Sequence, residues 1–356
     1  MAASEARRFW QTLDQQARER LSDDLQRVLD LTWSHRLDHK TNSIAAGNAN
    51  VYVLYNRILN NWTYAPAGMF TFLERLSMIG RDVEVQCSIG TGGNTQGEDE
   101  LGMILRFYFG ARRAASGFAL VNPATFQRII QAMRGDPNSR LLELMAQSFF
   151  HYRRTLAPCS WRIYLNVQPA ERATVMRWVV NTVLPGRGCS NAKVGGPGRE
   201  LRADSIVIYL DDQRAIDLAL GGLRAYQSGA ADQNRFVLGV PRMVKEIPGL
   251  RGVGVGAEPP VALASDRGRL LMFTGSSSFG TYRQQLIELA LAYTLYQGEG
   301  REAFGRRVVD YFDAAGIDPA HPERHVDPAR LRRIAQAVEG YWARRERVPD
   351  NLAIWG

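Results

Sequence analysis

Four basic residues lie at the ends or edges of regular segments in the second half of the chain. They are Arg162 in WRIYLNV, Lys193 in NAKVGG, Arg202 just before DSIVIYL and Arg283 in SFGTYRQQ. Cations at several strand ends can converge on one anion, and the arginine guanidinium can form two parallel hydrogen bonds to a phosphate. Each residue taken alone is better explained as a solvated charge, so it is the set that predicts an anion site.

Lys193 differs from the other three because small and apolar residues surround it in the sequence. A lysine that is partly removed from water gives up its proton more readily and can act as a general base. Lys193 is therefore a candidate catalytic residue, whereas the three arginines are candidates for binding the anion.

Two glycine- and serine-rich segments are candidates for contact with a substrate. Gly252–Pro260, which contains Gly254 and Glu258, is built of small residues that let a backbone come close. The segment from Ser276 to Arg283 places Ser278 where a helix begins, and the backbone N–H groups of a helix start attract anions. A tight packing turn explains the same residues equally well.

The motifs of the common enzyme classes are missing from the sequence. It has no GxSxG, HExxH or CxxC motif and no Walker loop, and Pro259 and Pro260 prevent GVGVGAEPP from opening the helix that a dinucleotide site needs. His35 and His39 have the helical i, i+4 spacing of a metal-binding pair but lack an acidic or cysteine partner. We therefore expect neither a metal nor an organic cofactor.

The charge balance favours acidic partners. The chain has 44 Lys and Arg against 36 Asp and Glu, a net charge of +8. A phosphorylated substrate, an acidic peptide or a nucleic acid fits this excess, as does a solvated basic surface without a partner. We expect no membrane partner, because no apolar run reaches the length of a span. The basic C-terminal helices match no recognisable nucleic-acid-binding module.

Cysteine usage indicates a reducing compartment. Cys87, Cys159 and Cys189 have no paired spacing, and the first residues lack the apolar core of a signal peptide. We therefore expect a cytoplasmic protein.

After Pro158 the sequence changes from mainly helical patterns to a mixture of strand-like and helical patterns. This change predicts a mainly helical region over residues 1–157 and a mixed strand-helix region over 158–356, an α+β fold overall. Helices are predicted at 5–34, 50–62, 69–80, 122–133, 139–156, 169–184, 211–226, 282–296, 304–315 and 328–346. Strands are predicted at 106–111, 161–167, 190–196 and 204–210, and a mobile loop at 87–102. Residues 252–257 are predicted to form either a strand or a tight glycine passage. His151 falls in the helix predicted at 139–156 and is interpreted as a packing histidine.

Several longer segments together resemble a known family. WRIYLNVQPAERATVMRWVVNTVL, NAKVGGPGRELRADSIVIYL, GVGVGAEPP and SSSFGTYRQQLIELALAYTL resemble the HopA-type effector family, over roughly Arg106 to Tyr296. That family includes type III secretion effectors of plant-pathogenic bacteria. It also includes the lyase subunits of class V lanthipeptide synthetases and of thioviridamide-like peptide pathways.

A more distant similarity reaches the phosphothreonine lyases. In those enzymes one strand carries a lysine and a histidine two residues apart, and a later strand carries the lysine base. Here the first strand carries Arg162 and Tyr164, and Lys193 follows at a similar separation. The resemblance implies that Arg202 and Arg283 bind phosphate and that Tyr164 stands where the general-acid histidine is expected. Either the tyrosine donates the proton, or cations alone assist the leaving phosphate, or the chemistry is lost.

The resemblance implies a phosphoserine or phosphothreonine lyase that needs no cofactor. Its substrate is a precursor peptide, consisting of a leader and a phosphorylated core, that a separate kinase subunit modifies. The product is dehydroalanine or dehydrobutyrine for later thioether formation. Lys193 is the expected base, and Asp204 orients Arg202 or Lys193, or caps a strand. The alternative is a non-catalytic protein: either an effector secreted into a host, or a subunit that binds the kinase or the leader peptide.

Overall fold

The computed structural model describes residues 21–34, 36, 69–79, 86–90, 95–113, 118–136, 140–154, 159–186, 188–196, 203–266, 269–275 and 277–355. They belong to two compact units. The sheet unit comprises Asn60–Pro241 and Lys245–Val255, and the C-terminal unit comprises Met1–Leu59, Arg242–Val244 and Gly256–Gly356. The predicted α+β class is confirmed. The division predicted between residues 157 and 158 stays a prediction; it lies between two strands of one sheet.

The sheet unit combines short helices with most of the strands. The first helix of the chain, α1 (Asp23–Ser34), belongs to the C-terminal unit. The helices of the sheet unit are α2 (Met69–Ser77), α3 (Thr95–Phe109), α4 (Pro123–Gly135), α5 (Arg140–Ala146), α6 (Arg172–Trp178), α7 (Gln213–Tyr226) and α8 (Ala230–Gln233). Its strands are β1 (Gln86–Gly90), β2 (Arg112–Arg113), β3 (Ala119–Val121), β4 (Phe149–Arg153), β5 (Trp161–Leu165), β6 (Cys189–Gly195), β7 (Ile206–Leu210), β8 (Lys245–Glu246) and β9 (Val253–Ala257), whose last two residues count with the C-terminal unit. A π-helical turn, Val179–Val183, extends α6.

These strands form one nine-stranded sheet in the order β2-β3-β1-β4-β6-β7-β5-β9-β8. Neighbours from β2 through to β5 pair antiparallel. Successive residues of a strand point to opposite faces, and residues directly opposite each other on neighbouring strands share a face. The registers therefore determine which side chains lie together.

One face of the sheet is apolar and carries the main core. Ile89, Phe150, Ile163, Val194 and Ile208 alternate along their strands and are fully buried against the apolar sides of the helices. Burial of such a side chain stabilises the fold by about 1.5–3 kcal/mol. The other face carries most of the polar residues of the same strands and is described with the candidate site.

The C-terminal unit contains α1 (Asp23–Ser34), β10 (Ala262–Asp266), β11 (Arg269–Phe273), α9 (Phe279–Tyr296), α10 (Arg301–Ala314), β12 (Ile317–Asp318), β13 (His321–His325), α11 (Pro328–Ala343) and β14 (Ala353–Trp355). The strands form a three-stranded sheet, β10-β11-β14, and a hairpin, β12-β13. Helix α1 is remote in sequence but packs here: Asp30 pairs with Arg301, and the rings of Trp33 and Phe304 stack at 5.8 Å. None of the described helices is long and apolar enough to span a membrane.

The helices predicted at 122–133 and 211–226 are present as α4 and α7, and a capping residue precedes each. The Asn122 side chain accepts a hydrogen bond from the Thr125 N–H at 2.8 Å, with Pro123 in the first turn of α4. Asp212 caps α7 in the same way. The helices predicted at residues 50–62 and over the first part of 5–34, and the pair His35 and His39, lie outside the described residues.

Three predictions about the first half of the chain are wrong. The loop predicted at 87–102 contains strand β1 and the first half of α3. The strand predicted at 106–111 is the end of α3, which Gly110 terminates with a positive φ of 69°. The helix predicted at 139–156 ends at Ala146, and Phe149–Arg153 forms strand β4. The last correction moves His151 from a helix to the centre of the sheet.

Candidate active site on the polar face of the sheet

The polar face of the sheet brings together side chains from five strands. His151 and Arg153 of β4 share this face with Asn191 and Lys193 of β6 and with Arg162 of β5. Ser88, Tyr164, Val207 and Tyr209 complete the surface, which we call the polar face. Along each strand these residues alternate with core residues, so the two sets lie on opposite faces of the sheet.

His151 and Lys193 lie directly opposite each other across β4 and β6. Residues in this relation have Cα atoms about 5 Å apart and side chains that point the same way. Ser88 of β1 lies opposite His151 on its other side. A histidine and a lysine are thus held side by side by backbone pairing on both flanks, which is a rigid support for catalytic groups.

Aromatic rings enclose this pair. Phe118 stacks on the imidazole of His151 with ring centroids 4.8 Å apart, and Phe149 meets it edge-on at 6.4 Å. The Lys193 Nζ lies 4.2 Å from the centroid of Phe149, over the ring face. Gly90 provides the space for Phe118, since a Cβ at residue 90 would overlap that ring. The rings favour the lysine cation and remove the imidazole from water.

His151 is buried, and its Nδ1 has no hydrogen-bond partner among the described residues. Burial lowers the pKa of His151 well below its ordinary value of 6.5, and the positive charges of Lys193, Arg153 and Arg162 lower it further. The imidazole is therefore neutral at physiological pH. An anion bound beside these cations offsets their charge and raises the pKa of His151. Its protonation state is thus coupled to anion binding.

Arg162 and Tyr164 lie on β5, two strands from Lys193, a spacing of about 10 Å. Arg162 is buried and its guanidinium lies over the ring of Tyr209 at 4.7 Å. Tyr164 is buried in register with Val207, which in turn faces Lys193. The prediction that Lys193, Arg162 and Tyr164 share one surface agrees with these registers, but their catalytic roles remain predictions.

Asp204 is buried in the turn before β7, next to Ser205. The Ser205 hydroxyl donates to the Leu165 carbonyl at 2.8 Å and accepts from the Val167 N–H at 2.7 Å, which joins this turn to the end of β5. Arg202 lies outside the described residues. The orienting role expected for Asp204 remains a prediction.

Arg283 belongs to the C-terminal unit and is fully buried in α9. Its Nε donates to the Pro322 carbonyl at 2.6 Å, its Nη1 to the Phe279 carbonyl at 3.1 Å, and its guanidinium carbon lies 3.6 Å from the Phe279 ring centroid. These contacts join α9 to the β12-β13 hairpin. Arg283 therefore has an observed structural role, and its role in binding phosphate remains a prediction.

The residues predicted to contact substrate have local roles of their own. Ser278 caps α9 by accepting from the Thr281 N–H at 3.1 Å, so the helix begins at Phe279, three residues before the predicted start at residue 282. Gly254 lies in β9 opposite Glu246, and Glu258 follows that strand in the C-terminal unit. Among the described residues no cluster of His, Cys, Asp and Glu has an arrangement that holds a metal ion.

Comparison with known proteins identifies the family. The model of the HopA1 effector protein family matches residues 146–324, half of the chain, and this segment contains strands β4 to β7 with His151 and Lys193. The chain belongs to the HopA1 effector protein family. The predicted family resemblance is thereby confirmed. No curated protein matches the HopA1-family chain described here.

Two solved structures are similar to this HopA1-family chain. The effector protein from Pseudomonas syringae pv. tomato strain DC3000 shares 16% identity at a TM-score of 0.48, over 84% of this chain and 99% of that one. The effector protein from Pseudomonas syringae pv. syringae strain 61 shares 16% identity at a TM-score of 0.43, over 83% and 97% of the two chains.

Sequence reasoning missed the most informative residue of the candidate site. His151 was predicted to pack within a helix, whereas the structure places it opposite Lys193. A signal was present in FFHYR: apolar Phe150 and Tyr152 alternate with polar His151 and Arg153, which is the pattern of a strand with one buried face. The leucines before it dominated the helical pattern.

Proposed function

We propose that this HopA1-family protein is a lyase that eliminates phosphate from phosphoserine or phosphothreonine in a peptide. The observation that carries the proposal is the His151–Lys193 pair on a face that also holds Arg153 and Arg162. β-Elimination needs a base for the α-proton, an acid for the leaving phosphate and cations for the phosphate charge. The polar face supplies all three kinds of group within one rigid sheet.

In the proposed reaction the phosphate dianion binds beside Arg162 and Arg153. Its charge offsets theirs and raises the pKa of His151, so that in the complex the proton of the neighbouring Lys193 ammonium passes to the imidazole. Neutral Lys193 Nζ then accepts the α-proton, and the electrons of the Cα–H bond form the Cα–Cβ double bond. The Cβ–O bond breaks, and His151 gives its proton to the departing phosphate. Lys193 is then an ammonium again and His151 is neutral again, as in the free protein.

This assignment gives the acid role to His151 rather than to Tyr164. His151 is adjacent to Lys193, whereas Tyr164 lies two strands away. Tyr164 then has a supporting role beside the phosphate. The four cationic or imidazole groups, His151, Arg153, Arg162 and Lys193, lie in one unit, so the chemistry does not depend on Arg283.

We propose a kinase-modified ribosomal precursor peptide as the substrate. The product is dehydroalanine from phosphoserine or dehydrobutyrine from phosphothreonine, and either can accept a thiol to form a thioether. A kinase subunit supplies the phosphorylated peptide, which places both proteins in the bacterial cytoplasm. The net charge of +8 suits a substrate that carries phosphates.

Mass spectrometry of phosphoserine and phosphothreonine peptides incubated with the protein tests this function. The wild type is expected to release phosphate and leave a dehydrated residue, and Lys193→Met is expected to abolish the reaction. Lys245→Met, which changes an exposed lysine at the other end of the sheet, is the matched control and is expected to react normally. Phosphopeptides that bind but remain intact favour the alternative of a non-catalytic effector or partner subunit.

A further inference from the structure

A second surface of the sheet unit combines exposed apolar side chains with arginines. Met103, Phe107 and Tyr108 of α3 are among the large apolar side chains that the described residues expose to solvent, and Phe107 is 81% exposed. Met103 and Phe107 are one helical turn apart and share a side of the helix, with Tyr108 beside Phe107. Three such residues on one turn and a half of helix are more than isolated surface apolar residues.

The chain turn after α3 places arginines next to this apolar group. Gly110 ends the helix in a left-handed conformation, with its N–H bonded to the Arg106 carbonyl and the Ala111 N–H bonded to the Leu105 carbonyl. Strand β2, which is only Arg112 and Arg113, follows at once. From the neighbouring helix α4, Arg128 donates to the Tyr108 carbonyl at 3.1 Å. We call Met103, Phe107, Tyr108, Arg112, Arg113 and Arg128 the α3–β2 patch.

The patch contains three arginines, Arg112, Arg113 and Arg128, and no acidic residue. Glu98, Asp99 and Glu100 lie earlier on α3. Arg112 and Arg113 are exposed, and neither forms an ion pair within the described part of the chain. Arginines around an apolar group complement a segment that carries carboxylates and aliphatic side chains.

One residue of the patch, Arg112, lies on the same face of the sheet as the candidate active site. Strand β2 is the outermost of the described strands at its end of the sheet. Arg112 is in register with Leu120, Leu120 with Ser88, and Ser88 with His151. Arg112 therefore lies on the polar face about 14 Å from His151, a distance that about four or five extended residues span. Arg113 points to the opposite face, where α3 packs.

From charge complementarity and the position of Arg112 we infer that the α3–β2 patch binds an acidic segment with aliphatic side chains. This segment belongs to the substrate peptide and is separate from the phosphorylated residue. The inference deepens the proposed function and rests on it for the identity of the peptide. The apolar side chains of the segment contact Phe107 and Tyr108, and its carboxylates contact the arginines. The chain then passes the edge at β2 and places a phosphorylated residue near His151 and Lys193.

Direct binding tests the inference without any elimination. The probe is a short fluorescein-labelled peptide of Glu, Asp, Leu and Ile, and its partner is the same peptide with Lys in place of each acid. Fluorescence anisotropy is expected to show saturable binding of the acidic probe and at least tenfold weaker binding of the Lys probe. Arg112→Glu with Arg113→Glu, and separately Phe107→Ser, are expected to weaken the acidic probe about tenfold.

The chain offers a matched control for each change. Arg332 and Arg333 are an adjacent, exposed arginine pair on α11, and Tyr296 at the end of α9 is 81% exposed, as is Phe107. Their changes to Glu and to Ser are expected to leave binding within about twofold. Equal binding of both probes, or equal weakening by control and patch variants, would overturn the inference.

Two further experiments are needed. One distinguishes a second copy of the chain from a peptide as the occupant of the patch, and the other distinguishes the docking surface from the lyase activity. Self-association in sedimentation velocity that Phe107→Ser abolishes would assign the patch to a second copy of the chain and overturn the inference. Attaching the acidic segment to a phosphoserine peptide is expected to lower KM for elimination at least tenfold, and the Arg112→Glu with Arg113→Glu variant to remove that gain. Probe binding without any elimination would leave the docking surface standing and contradict the lyase.

Discussion

His151 lies directly opposite Lys193 across strands β4 and β6, in the middle of the polar face. The two side chains are fixed by backbone pairing on both sides, and the rings of Phe118 and Phe149 contact them. The candidate site therefore combines a neutral imidazole with an adjacent lysine, and further cations lie nearby.

Replacing His151 is expected to harm elimination more than replacing Tyr164. His151→Asn removes the proposed acid, and the loss of a positioned acid lowers kcat by about 100-fold or more. Tyr164→Phe keeps the ring in its buried position and is expected to lower kcat by less than about tenfold. Steady-state phosphate release measures both. The reverse order of effects would return the acid role to Tyr164.

Phosphate is expected to raise the pKa of His151. In the free protein, burial and the charges of Lys193, Arg153 and Arg162 hold this pKa well below 6.5, so the imidazole stays neutral as the pH falls through 6.5. A saturating concentration of inorganic phosphate offsets those charges, and protonation should then begin at a higher pH. NMR titration of the imidazole signals, assigned with His151→Asn, measures the change. Identical titrations with and without phosphate would contradict the prediction that an anion binds close enough to His151 to raise its pKa.

Gly196, one residue beyond the β6 strand that carries Lys193, is expected to tolerate no side chain. A Cβ there would lie 2.3 Å from the Ala146 carbonyl oxygen and 2.9 Å from that of Met145, so the backbone would have to move. Gly196→Ala is expected to destabilise the sheet unit by about 2 kcal/mol. Urea unfolding measures this change.

Gly221→Ala is the matched control for that substitution. Gly221 lies within helix α7, and no described atom comes within 4 Å of its added Cβ. Alanine favours the helix, so a gain of about 0.5–1 kcal/mol is expected. A loss of stability at Gly221 similar to that at Gly196 would show that packing does not explain the first result.

The strands of the site could be predicted from the sequence, but their pairing could not. Alternation in WRIYLNV places Arg162 and Tyr164 on one face and Ile163 on the other, and the structure agrees. The contact between His151 and Lys193 depends on the register of two strands about 40 residues apart. No local pattern encodes that register, because loop closure and packing of the whole sheet decide it.

The errors in the first half of the chain have local causes. The seven-residue helix α5 ends two residues before β4, and its leucines extend a helical pattern into Phe149–Arg153. Glycines around residues 90–102 predict a loop, yet Gly90 is in a strand because Phe118 occupies the space beside it, and Gly102 is inside α3. Tertiary packing overrides glycine propensity at both positions.

Glu288 is expected to make the C-terminal unit less stable as the pH rises. Burial raises its pKa from 4.5 to about 7, and a hydrogen bond from Gln284 offsets only part of this. The protonated form is favoured in the folded state, so its stabilising effect is complete below pH 4.5 and is lost as the pH rises through about 7. Glu288→Gln keeps the neutral form and is expected to be about 3 kcal/mol more stable than wild type at pH 8.

Urea unfolding of wild type and Glu288→Gln at pH 5 and pH 8 measures this difference. The two proteins are expected to differ by less than about 1 kcal/mol at pH 5 and by about 3 kcal/mol at pH 8. Glu302→Gln on α10, whose carboxylate lies at the surface beside Arg306, controls for the loss of one negative charge. A difference between wild type and Glu288→Gln that stays constant from pH 5 to pH 8 would exclude titration of Glu288 as its cause.

The proposed lyase activity is tested most directly by mass spectrometry of a precursor peptide phosphorylated on Ser or Thr by its partner kinase. With wild-type protein, we predict the loss of one phosphoric acid per modified residue. With Lys193→Met the peptide should keep its phosphates, and with Lys245→Met it should react as with wild type. A phosphopeptide that wild-type protein leaves intact, or that Lys193→Met converts at the wild-type rate, would contradict the catalytic role assigned to the polar face.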